Sequence, residues 1–208
     1  GFTILENADA RGFRSVVREF LPNGRLLAII KLSITTPPIY KKNSPYFIND
    51  LDLVTGKTTT REIRSDSIGR LQISLNGSIH EVGINKVADQ PNIFLLSPKP
   101  ENKLWVTPNK DVAIFIELSN KGRSTGKNIK AILSTDNKAT TISNSKTEIG
   151  DITVNGQKKA RSPFVFQVHS DSIEIVKFKL TIQDDSKNEW SEFFEISLQK
   201  EYPLFKDI

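Results

Sequence analysis

The 208-residue chain has no cysteine, no methionine and only two histidines. Without cysteine there can be no disulfide, no thiolate-bound metal and no cysteine nucleophile. Without methionine there is no start residue, and the sequence is expected to be a processed form or an excised piece of a longer chain. Long apolar runs are missing too: no stretch of about 18 residues could cross a bilayer as a helix. Clean helical periodicity is equally scarce, because Gly and Pro interrupt every window of about 12 residues that might carry it. A Gly-x-Ser-x-Gly elbow holding a strained serine nucleophile is not expected, and a chain of strands offers no strand-to-helix turn to hold one.

What the sequence does contain is a succession of short β-type runs separated by turn residues, with 37% apolar residues to build cores. The net charge of +5 is spread evenly, +3 over residues 1–91 and +2 over residues 92–208. Basic and acidic side chains alternate, where a nucleic-acid footprint would cluster the basic ones among exposed aromatics, so nucleic acid is not an expected partner. Length and pattern together predict an all-β protein of two tandem β-sandwich domains, residues 1–91 and 92–208.

In the first domain, strands are expected at Phe2–Leu5, Arg25–Ile34, Tyr46–Leu53, Thr58–Ile63, Leu71–Leu75 and Ile79–Ile84. Pro22-Asn23-Gly24, Pro37-Pro38 and Val54-Thr55-Gly56-Lys57 punctuate them, and Asn76-Gly77 reads as a hairpin turn. Asn85–Pro91 is the expected junction. In the second domain, Val112–Leu118 and Ile129–Ser134 flank a polar run and read as a hairpin. Phe164–Val168, Ile173–Ile182 and Trp190–Leu198 follow, with Val176, Phe178 and Leu180 on the core face of the second of these.

Two resemblances attach to particular residues. Asp50-Leu51-Asp52-Leu53, the Thr55-Gly56 turn, Ser65-Asp66 with Gly69-Arg70-Leu71, and Asn76-Gly77 leading to His80-Glu81-Val82-Gly83-Ile84 resemble a small β-sandwich module. That module follows esterase-type α/β-hydrolase domains in exported proteins of Gram-negative bacteria, and the resemblance covers about residues 20–85. Leu118-Ser119-Asn120-Lys121-Gly122 with Thr125–Asn128, Ile149–Ile152 and the Asp184-Asp185 turn resemble immunoglobulin-like adhesion and spacer modules of bacteria. The resemblances imply two tandem immunoglobulin-like β-sandwich domains that are noncatalytic, an exported location, and a catalytic domain elsewhere in the same polypeptide as partner.

Candidate sites are few. His80 and His169 fall in different expected domains, and His80 reads as an exposed strand residue without an orienting partner. Asp50 and Asp52 share a strand face, which reads as a polar outer face opposite Leu51 and Leu53 and, less simply, as a carboxylate pair for glycoside chemistry. Asp184–Glu189 offers oxygen ligands but lacks calcium-loop spacing and contains Lys187, so it reads as a turn and no metal or cofactor is expected. Glycans remain a candidate partner, with Trp105, Trp190 and Tyr46 as a stacking platform and Tyr40 beside them. The Phe-rich aromatic content reads mainly as core, with Trp190 a core ring and Trp105 placed at the domain junction. The expected function is a noncatalytic spacing, stabilising or docking region, with a carbohydrate-binding module as the alternative.

Overall fold

The computed structural model describes residues 1–100, 108–169 and 175–197, the side chains of residues 97–100 excepted. No helix occurs among the described residues; the protein is all-β. None of it forms a helix long and apolar enough to cross a membrane, which says nothing about a membrane β-barrel. The chain divides into two compact units.

Unit 1 comprises Gly1–Asn92 together with Asn120–Thr125 and Thr153–Gly156. Its main sheet takes β1 (Phe2–Asp9), β2 (Gly12–Arg18), β4 (Pro45–Asp52), β5 (Thr58–Arg64) and β7 (His80–Asn85) in the order β1-β2-β7-β4-β5. A two-stranded sheet pairs β3 (Lys31–Thr35) with β6 (Gln72–Asn76). The period-2 alternation of β2, β4 and β7 directs Phe13, Tyr46, Ile48, Val82 and Ile84 into one cluster with Ile73 and Leu75 of β6. Both sheets thus bury one face in the same core, as a sandwich does.

Unit 2 holds two sheets. One runs β12 (Lys146–Ile152), β10 (Gly126–Ser134), β15 (Ile175–Gln183), β16 (Glu189–Ser197). The other runs β11 (Thr140–Asn144), β14 (Phe164–Val168), β9 (Val112–Asn120), β13 (Gln157–Lys159), with β8 (Ile93–Pro100) also paired to β9. Ile114, Ile116 and Leu118 of β9 and Phe164 and Phe166 of β14 meet Val176, Phe178, Leu180 and Ile182 of β15. The Phe166 and Phe178 rings are 4.8 Å apart and tilted, and Phe194 stacks on Phe178 at 5.4 Å. β15 and β16 form a true hairpin closed by Asp184–Asn188, where the Asp184 carboxylate accepts the main-chain and side-chain amides of Asn188 at 2.8 Å each. That carboxylate is spent on the turn.

Two expected pairings and one expected strand differ. β9 and β10 are not a hairpin: they lie in different sheets, and their connection crosses the sandwich. The same holds for Asn76-Gly77, which links β6 to β7 across the two sheets of unit 1. Arg25–Ile34 is a strand only from Lys31. Leu26 makes an isolated bridge to Arg18, Ile30 closes a turn onto Leu27, and Ile29 stands 95% exposed. An apolar run without a second face to bury cannot hold a ladder, whatever its β-propensity.

Candidate functional site

Asp50 sits on β4 in phase with Tyr46 and Ile48, and His80 sits on β7 in phase with Val82. Both therefore point to the inner face of the main sheet, at its end, and both are buried, at 7% and 5% exposure. The expected outer-face Asp50 and exposed His80 are both corrected. The phase of β4 is set by Tyr46 and Ile48, while Leu53 is the residue left outside.

In register, His80 opposes Asp52, so Asp50 is its diagonal neighbour, and the imidazole Nδ1 lies 2.7 Å from Asp50 Oδ1. The other ring nitrogen, Nε2, lies 2.9 Å from Asn76 Oδ1. That amide oxygen also accepts the Ser78 main-chain N–H at 2.7 Å, which fixes its identity. An amide oxygen only accepts, so Nε2 donates to Asn76, while Nδ1 faces the Asp50 carboxylate. Arg61 of β5 comes to 3.5 Å of Asp50 Oδ2 and donates to the Ser74 carbonyl at 3.0 Å.

Asp52 closes the turn that follows β4. Its Oδ1 accepts the amides of Val54 and Thr55 at 2.8 and 3.1 Å and the Ser78 hydroxyl at 3.0 Å. Burial pushes this carboxyl up, but the Val54 and Thr55 amides, the Ser78 hydroxyl and the charge of His80 outweigh it and hold it below its ordinary value. Asp50 and Asp52 thus share a face without acting as an equivalent pair, because each is already committed to different donors.

A pocket of about 260 Å³ opens beside Asp50 and His80. Sequence reasoning missed its other walls, Lys57, Thr59, Ser74 and Asn76, which come from β5, β6 and a turn and share no local motif. The expectation of no Gly-x-Ser-x-Gly elbow is corrected at the level of sequence: Gly122-Arg123-Ser124-Thr125-Gly126 spells that pattern of a serine nucleophile. This pentapeptide connects strand to strand and no helix follows it. The Ser124 carbonyl accepts the Asn120 side-chain amide at 2.7 Å, and no histidine bonds its hydroxyl. His169, in unit 2, bonds Thr141 Oγ1 at 3.0 Å.

Two of the three rings of the expected stacking platform are buried. Tyr46 is 3% exposed and Trp190 7%, so neither offers the open ring face that sugar stacking needs. Both rings fill cores instead, as large aromatics placed on the inner phase of a strand do. Tyr40 packs edge-on against Tyr46 at 4.9 Å, and burial, with Asp9 and Tyr46 nearby, pushes its hydroxyl up to about 12. Trp105 lies outside the described residues. Unit 2 has a larger open groove of about 870 Å³ beside the exposed Phe193, walled by Lys177, Lys179 and Glu195.

No family model matches the sequence. No curated protein matches it either. Among solved structures, the crystal structure of red sea bream transglutaminase is similar over 96% of this chain and 31% of its own, at 8% identity and a TM-score of 0.38. This chain therefore spans about a third of that protein's length, and a TM-score so low carries no argument about fold or activity.

Proposed function

We propose that the chain is a noncatalytic accessory region of a larger exported bacterial protein, built as two immunoglobulin-like modules that space, stabilise or dock a catalytic domain. An esterase-type α/β-hydrolase domain elsewhere in the polypeptide is the partner that the sequence resemblance implies. One observation carries the noncatalytic reading. His80, the histidine with an aspartate behind it, has both ring nitrogens engaged, by Asp50 and by Asn76, so neither is presented to a serine. A general base must reach the proton it removes, and here the accessible nitrogen is capped by an amide oxygen. The one serine in a nucleophile-like pattern, Ser124, has no bond to either histidine.

The test is hydrolysis of short-chain chromogenic acyl esters by the purified chain, alongside His80→Ala and Ser124→Ala. The expected result is no turnover above buffer in any of the three. Turnover by the wild-type chain that disappears in either variant would overturn the reading.

A further inference from the structure

The polar pocket beside Asp50 and His80 has hydrogen-bonding capacity that the fold does not use. Lys57 Nζ, Thr59 Oγ1 and Ser74 Oγ make no hydrogen bond or ion pair among the described residues, although all three line it. Asp52 Oδ2 takes no hydrogen bond there either, its other oxygen serving the turn. Asn76 spends its oxygen on Ser78 and His80, which leaves its amide group as a donor. The mouth therefore mixes donors, acceptors and hydroxyls that do both.

We propose that this pocket binds one residue of a neutral sugar. Charge argues for a neutral ligand: the Asp50 and Asp52 carboxylates face the cations of Lys57 and Arg61, so neither an anion nor a cation finds a one-signed site. Ligand hydroxyls both donate and accept, which matches a wall of mixed polarity, and vicinal hydroxyls suit a carboxylate oxygen. Leu75, largely buried in the core, is the apolar residue of the lining. At about 260 Å³ the pocket is below the roughly 300–1,000 Å³ typical of drug-sized ligands, which fits a single ring.

The Asp50–His80 pair stands behind this mouth as its rigid support. Burying such a pair gains little stability over apolar side chains of the same volume, whereas a preorganised wall needs rotamers locked by a second layer of bonds. This inference rests on the accessory reading only in that binding, not hydrolysis, is the output.

The experiment is an amide-resolved NMR titration of the whole chain with the methyl glycosides of glucose, galactose, mannose and xylose. It is repeated on Thr59→Val, Ser74→Ala and Lys57→Met, which remove no internal bond. Saturable shifts confined to the pocket with at least one glycoside are expected, weakened about threefold to tenfold in each variant, as loss of one hydrogen bond predicts. The proposal is overturned by absence of pocket shifts with all four sugars, or by binding that all three variants retain unweakened. It is also overturned if arginine or inorganic phosphate saturates the pocket and the sugars do not. Ester turnover measured on the same samples reports on the noncatalytic reading separately, so the two can fail independently.

Discussion

At the scale of single residues, two aspartates of unit 1, Asp66 and Asp52, are turn builders. Asp66 accepts the amides of Ile68 and Arg70 and the Arg70 guanidinium at 2.8–3.0 Å. The Arg70 amide and side chain, working against desolvation, pull Asp66 to about 2. Asp52 does the same work after β4, and its depressed value makes a pH prediction with a definite sign. A carboxyl whose folded value lies below its ordinary 3.8 contributes stability that is present above that ordinary value and is lost as pH falls through the folded one. Urea unfolding is therefore expected to show Asp52→Asn less stable than wild type at neutral pH. The gap should narrow steadily in acid below the ordinary carboxylate range, and a gap that widens on acidification would refute the assignment.

At the scale of elements, strand positions were legible in the sequence and strand partners were not. Val176, Phe178 and Leu180 alternate without ambiguity, and all three are core. Along Tyr46–Leu53, however, Phe47, Leu51 and Leu53 offer one apolar phase and Tyr46 and Ile48 another, so the alternation could not say which way Asp50 points. Phe47 belongs to the outer phase, where the Arg123 guanidinium lies 5.8 Å from its ring centroid. The Asn76-Gly77 signal failed for a different reason: turn chemistry is local, while the sheet to which the next strand belongs is chosen by which face is left to bury. The pocket was hidden for the same reason, since its walls meet only after β4, β5, β6 and β7 are assembled. Gly83 shows what assembly demands of one position in β7. A Cβ there would sit 1.9 Å from the Lys121 carbonyl oxygen, which is main chain and cannot swing aside. Gly83→Ala is expected to cost about 2 kcal/mol, as overpacking does, with β7 amides exchanging faster; a neutral substitution would show that this approach is not maintained.

At the scale of the molecule, the first compact unit is not a continuous stretch of chain. Residues 1–92 supply its sheets, but 120–125 and 153–156 belong to it as well. Lys121 is buried with its ammonium 2.6 Å from Glu81 Oε2, while Arg14 holds the other oxygen of Glu81. Asn120 Oδ1 accepts the Asn92 amide at 3.1 Å, the Lys121 amide donates to the Asn92 carbonyl at 2.8 Å, and Asn155 Oδ1 accepts the Asn49 side-chain amide at 2.9 Å. These groups lie on the β4–β7 face opposite the apolar core, where the sequence shows only Asn49, Glu81 and Gly83 with no visible partner. A piece ending at residue 92 would keep every strand of the unit and the Arg14–Glu81 pair, but lose every bond to Asn120, Lys121 and Asn155, exposing Glu81 and Asn49 to water. Solvent would restore part of the lost bonding, but the Lys121–Glu81 ion pair and the ordered face would be gone. The isolated 1–92 piece is therefore expected to be less stable than the same residues in the whole chain by on the order of 3 kcal/mol. Hydrogen exchange of the β2, β4 and β7 amides reads this directly, because those strands would lose protection together while keeping the same core. Equal protection in the piece and the whole chain would mean that the two loop segments only rest on the unit and contribute nothing to its stability.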